Sequence, residues 1–169
     1  MNSMWMILLS TFMLANGGAK TNESQNGELK WTNFTQGVKE AAATNKKVLI
    51  DVYTDWCGWC KKMDSDTYSD RGVQSYLNQN YVLVKLNAES SNKEMIDTTE
   101  VTDAQLASAF GVSGYPTTVF LSSEGKPITA APGYMKPDEF LHVLQYIGGD
   151  YYKKMEFPEY LKSQGVPAK

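Results

Sequence analysis

At 169 residues the chain is long enough for one domain with a sizeable core plus appendages. Hydrophobic residues make up 42% and charged residues 21%, the proportions of a soluble globular protein. The net charge is −3 and basic residues cluster no further than Lys-Lys pairs, which argues against nucleic acid as a partner.

Met4 to Leu14 is apolar and is followed by Ala15-Asn16-Gly17-Gly18-Ala19. A bilayer span needs about 20 residues, so this segment is too short to cross a membrane and fits the apolar part of a signal peptide. Residues 1–19 are therefore expected to be a signal peptide, cleaved after Gly17 or Ala19, although Met1-Asn2-Ser3 offers only its terminal amine as positive charge. Export, to a periplasmic or extracellular space, would put the protein where disulfides persist. No Cys directly follows the apolar segment, so a lipid anchor is not expected. Residues 20–28 are polar and Gly/Asn-rich and read as a linker, with a domain over 29–149 and an extension over 150–169.

Asn33 with Gln36 three residues on marks a capped helix start, with Phe34, Val38, Ala41 and Ala42 as its apolar face through about Thr44. Val48 to Tyr53 reads as a buried central strand, β-branched and aromatic. Asp51 is anomalous there, because a buried carboxylate costs several kcal/mol unless paired, hydrated or protonated. A helix over the segment after Cys57, to about Tyr68, is followed by a short one capped by Asp70, with Val73, Tyr76 and Leu77 inward. Tyr81 to Leu86 is a second apolar strand, and Glu89 to Val101 is polar and unpatterned, a candidate partner surface. Thr102-x-x-Gln105 is a capping box for a helix ending at Phe110-Gly111. Thr117 to Leu121 is a strand, Ser122 to Gly125 a turn, and Lys126 to Ala130 its hairpin partner, confined by Pro127 to the sheet edge. Pro137 opens the closing helix, Phe140, Leu141, Leu144 and Ile147 form its buried stripe, and Gly148-Gly149 stops it. The aromatics between Tyr151 and Leu161 suggest a short helix packed on the domain. This order gives an α/β fold, a central mixed β-sheet with helices on both faces.

The chemistry lies in Trp56-Cys57-Gly58-Trp59-Cys60-Lys61, at a strand-to-helix junction. There Cys57 would meet the free N–H groups and positive dipole end of the helix, which stabilise a thiolate, and Cys60 lies one turn on, within bridging reach. A dithiol that opens and closes with one sulfur at a helix N-terminus is a redox device. Zinc takes four N or S ligands, and beyond these two cysteines the chain offers only His142, so neither metal nor cofactor is expected.

The Trp-Cys-x-x-Cys-Lys after an acid-bearing strand resembles the active site of the thioredoxin family. Lys85-Leu86-Asn87 and Gly111-Val112-Ser113-Gly114-Tyr115-Pro116-Thr117 follow in the family's order, and the similarity covers residues 31–148. The 89–101 stretch is longer than that pattern has there, and Trp59 departs from the Gly-Pro of thioredoxins proper. The resemblance implies a thiol–disulfide oxidoreductase acting on protein thiols and disulfides. Cys57 would be the nucleophile and Cys60 the resolving thiol, with Asp51 as the buried acid serving Cys60. Lys85 would modulate that acid, or else be a solvated strand-end lysine. Tyr115-Pro116 corresponds to the loop whose cis-proline faces the cysteines and pairs with extended substrate, the alternative being a trans turn proline. Trp56, Gly58 and Trp59 would form an apolar rim around Cys57. Gly58 and Trp59 carry no charge, and Asp51, Asp55 and Asp64 disfavour a thiolate, so reduction or isomerisation is expected rather than oxidation. An exported monomer of this kind needs a membrane electron donor. A module that grips peptides without turnover is the alternative function.

Overall fold

The computed structural model describes residues 27–166, so the expected signal peptide and most of the linker lie outside the described residues. The sheet is built from β1 (Trp31–Thr32), β2 (Lys47–Tyr53), β3 (Tyr81–Asn87), β6 (Thr117–Leu121) and β7 (Pro127–Pro132), in spatial order β1-β3-β2-β6-β7. The pairs β1/β3 and β2/β3 are parallel, and β2/β6 and β6/β7 are antiparallel. The mixed sheet carries α1 (Phe34–Thr44), α2 (Gly58–Asp66), α3 (Arg71–Asn80), α4 (Asp103–Ala109) and α5 (Pro137–Gly148).

Side-chain alternation along the strands divides the core in two. Val48, Ile50 and Val52 of β2 pack with Val82, Val84 and Leu86 of β3 against Phe34 and Ala41 of α1 and Leu106 of α4. Leu49, Leu83 and Phe120 point the opposite way, against Met63 of α2, Leu77 of α3 and Phe140 and Leu144 of α5. Asp51, Lys85 and Thr118 share that second face, two residues from Leu49, Leu83 and Phe120. Register makes them neighbours, for Asp51 lies opposite Lys85 on β3 and opposite Thr118 on β6.

Several local expectations are corrected. Ala42 is exposed, and Gly37 takes its place on the inner face of α1, where a Cβ would lie 2.3 Å from Val84 Cγ2. The helix approaches the sheet too closely there for any side chain. α2 closes at Asp66 rather than near Tyr68, with Thr67 as its C-cap. The 89–101 stretch, unpatterned in sequence, holds most of a hairpin of β4 (Lys93–Ile96) and β5 (Thr99–Thr102) that forms its own two-stranded sheet. What secures it is Glu94, buried to 4% exposure, whose Oε2 accepts from the Thr35 backbone N–H at 2.8 Å and from the Thr35 hydroxyl. Asn33 and Thr102 cap α1 and α4 through Gln36 N–H and Gln105 N–H, the latter in a full capping box. After α5, a 3-10 turn and α6 (Phe157–Ser163) fold back, with Tyr160 buried and its ring 5.3 Å from Tyr146.

Candidate active site

The apolar β2 carries the chain up from the sheet and a tight turn starts α2 at Gly58. Cys57 is the N-cap of α2, and its Sγ accepts the backbone N–H of Cys60 at 3.0 Å. One of the free donors of the first turn is thus aimed at sulfur, the position in which a thiolate is stabilised. Cys57 and Cys60 form a disulfide, with Cα atoms 5.3 Å apart, so the site is described in its oxidised state. Both sulfur-bearing residues are buried, Cys57 and Cys60 each 4% exposed.

Two exposed indoles flank the pair. Trp56 is 67% exposed, and its N–H donates to both carboxylate oxygens of Glu89 at 3.0 Å, while its ring meets Tyr115 edge-on at 6.0 Å. Trp59, at 59% exposed, leans on Tyr134 with ring centroids 5.4 Å apart. Gly58 between them has open space where a side chain would be. Pro116 is buried, its carbonyl accepts from Gly133 N–H at 2.8 Å, and the Tyr115–Pro116 peptide is cis.

Beneath the rim, Lys85 Nζ lies 2.5 Å from Asp51 Oδ2 and 2.6 Å from Asp64 Oδ1. Lys85 is therefore paired rather than solvated, and Trp31, Tyr53 and Tyr68 surround its ammonium with ring centroids at 4.8, 5.3 and 5.3 Å. Asp64 follows Cys60 by four residues, on the same face of α2, so the charge cluster reaches the helix that carries Cys60. Burial pushes the Asp51 carboxyl above its ordinary range and outweighs the opposing pull of Lys85, with Asp64 adding to the rise. Burial alone would lower the Lys85 ammonium, but the two carboxylates reverse this and hold it above its ordinary value. Among the described residues no group of three or more His, Cys, Asp or Glu is arranged to hold a metal ion.

Sequence reasoning selected Cys57, Cys60, Asp51, Lys85, Trp56, Gly58, Trp59, Tyr115 and Pro116, and the structure gathers them at one end of the sheet. It did not bring out the contacts of Asp64, Glu89, Tyr68 and Thr118. Helical spacing from Cys60 was the available signal for Asp64. Thr118 required the β2/β6 register, and Tyr68 depends on where α2 ends.

A cysteine pair at a helix N-terminus and a buried carboxyl whose proton affinity is raised are the groups that thiol–disulfide exchange calls for. The chain belongs to the thioredoxin-like family, since the model of the thioredoxin-like domain matches residues 34–148. It is similar to the thiol:disulfide interchange protein DsbD of Yersinia pestis, 38% identical over 107 residues that span 62% of this chain and 16% of that protein. The DsbD of Photorhabdus laumondii is 30% identical over 136 residues, 78% of this chain and 22% of its own length. The chain thus spans about a fifth or less of these curated relatives. A thioredoxin-fold protein from Helicobacter pylori superposes with a TM-score of 0.64 at 22% identity, over 72% of this chain and 86% of that one, a likeness of fold.

Proposed function

We propose that this protein is exported and there reduces or isomerises disulfides of protein substrates as a monomer, recharged by a membrane electron donor. The observation that carries the reading is the Cys57–Cys60 pair capping α2, with the Asp51–Lys85–Asp64 cluster below it. In the reduced protein the Cys57 thiolate attacks one sulfur of a substrate disulfide. A Cys57–substrate bond forms, the substrate S–S bond breaks, and one substrate thiolate leaves. Cys60 passes its proton toward Asp51 and attacks Cys57 Sγ, expelling the second substrate thiolate. Two electrons have moved to the substrate, and the protein is left in the disulfide form described above. An isomerase stops after the first step and lets another substrate thiol displace Cys57.

The rim supports a protein rather than a small-molecule substrate, since two large apolar rings stand exposed beside the sulfurs. Tyr115, against Trp56 and next to Pro116, lies where an extended substrate segment would pair with backbone. Export rests on the apolar residues 4–14 and on the interchange proteins that the chain resembles. No helix among the described residues is long and apolar enough to cross a membrane. The working unit is taken as 29–149, close to the 34–148 of the family match, with 150–169 as an extension. Reduction of insulin disulfides by the wild type, abolished in Cys57→Ser, is the expected result. Equal turnover by both proteins would overturn the reading, and binding of unfolded peptide with no turnover by either would favour a gripping module.

A further inference from the structure

Tyr68 stands just beyond the C-cap of α2 and buries its whole side chain, ring and hydroxyl. Its ring is held edge-on by Trp31 at 5.0 Å and by Phe140 at 5.5 Å, so the direction of the hydroxyl is fixed by packing from two sides. The Lys85 ammonium that pairs with Asp51 lies 5.3 Å from the centre of this ring. Tyr68 Oη, Asp51 Oδ1 and Thr118 Oγ1 are all buried with no hydrogen-bond partner in the described residues. Asp51 and Thr118 face each other across β2 and β6, and burial together with the charge of Asp51 keeps the Tyr68 hydroxyl protonated well above its ordinary range. Buried polar groups in native proteins are paired, and here the Tyr68 O–H is a buried donor without a partner while Asp51 Oδ1 is a buried acceptor without one.

We propose that Tyr68 is a positioning residue for Asp51: its hydroxyl donates to Oδ1 of the ionised carboxyl and turns to Thr118 Oγ1 when that carboxyl takes a proton. This deepens the proposed function and rests on the reading of Asp51 as the acid that serves Cys60. Lys85 holds Oδ2 throughout, which leaves Oδ1 as the oxygen on which the proton arrives. The hydroxyl then follows the proton inventory of the carboxyl. A hydrogen bond made to the ionised form favours that form, so Tyr68 would temper the effect of burial and help Asp51 release its proton after Cys60 has reacted. Asp51 is faced by Lys85 from β3, by Asp64 from α2 and by Tyr68, and Tyr53 of its own strand feels its charge. A tyrosine hydroxyl can give a hydrogen bond to the carboxylate without bringing a charge.

The test is a carbon-13 NMR titration of the Asp51 carboxyl in the oxidised protein, wild type against Tyr68→Phe. Phenylalanine keeps the ring contacts to Trp31 and Phe140. The midpoint is expected to move up by about 0.5–1 unit in the variant, a three- to tenfold change in the proton equilibrium. If Tyr68→Phe does not fold, Thr118→Val carries the test with the opposite sign, since Tyr68 then has Asp51 as its remaining acceptor and the midpoint should fall. An unchanged or lowered midpoint in Tyr68→Phe, or a raised or unchanged one in Thr118→Val, overturns the proposal. The titration needs no substrate, so a failure of the proposed activity, read by insulin turnover, shows separately.

Discussion

Asp51 is placed where its charge is costly, 2% exposed on a central strand, and Lys85 offsets only part of that cost. Its folded-state pKa lies above the ordinary value of 3.8, which fixes the sign of its effect on stability. The stabilising contribution is complete below that ordinary value and is lost as pH rises through the raised folded-state value. Asp51→Asn carries no such loss. It should therefore melt higher than wild type at neutral pH and converge toward it as pH falls to about 4, the unfolded-state value. Lys85 is not orphaned in this variant because Asp64 remains 2.6 Å away. In the reaction the same change should slow resolution of a mixed disulfide by about 100-fold, the low end for a positioned acid or base, while sparing the first attack by Cys57. Stopped-flow resolution rates and melting curves across pH check both halves. A variant that resolves normally and melts lower would make Asp51 a hydrogen-bonding residue of the sheet.

The β4–β5 hairpin is held by tertiary contact more than by its own sequence, for an isolated two-stranded hairpin is marginal in water. Glu94 Oε2 takes the Thr35 N–H at the start of α1, and Met95 N–H donates to the Thr35 hydroxyl at 2.8 Å. Glu94→Ala leaves the Thr35 donors without their charged acceptor and should cost about 1–3 kcal/mol. Hydrogen exchange should then show lost protection over 93–102 with β2 and β3 unchanged, and equal protection in both proteins would contradict this latch. The hairpin also marks the limit of what the chain reveals by pattern. Its strands alternate no apolar face, and its one inward side chain in β4 is a glutamate, so nothing local distinguishes it from loop. β1 is two residues long and exists because Trp31 and Thr32 run beside Leu83 and Val84 of β3. By contrast β2, β6, the Asn33 and Thr102 caps and the start of α2 at Cys57 were legible, because apolar runs and capping side chains act within a few residues. The main site residues follow from those elements. The partners that tune them, Asp64, Tyr68 and Thr118, arrive from α2, its exit and β6, and depend on packing and register.

At the scale of the molecule, the mixed sheet brings a strand end, a helix start and a proline loop to one edge. Asp51 and Asp64 share the Lys85 ammonium, and the residues between the cysteines, Gly58 and Trp59, carry no charge to hold a thiolate. With the N-cap N–H as the main stabiliser of a Cys57 thiolate, the proposed reading expects a reduced form that is not unusually favoured. Equilibration with glutathione should give a potential near that of thioredoxin, about −270 mV, whereas a value above about −150 mV would mark an oxidant. The division of labour between the sulfurs is the centre of the mechanism, and trapping reads it most directly. Reduced Cys60→Ser and reduced Cys57→Ser are each mixed with a disulfide-bonded protein substrate and analysed by mass spectrometry without reductant. Cys60→Ser should accumulate a mixed disulfide through Cys57, and Cys57→Ser should accumulate little or none. An adduct formed equally by both, or mainly through Cys60, would contradict the assignment of Cys57 as the attacking sulfur.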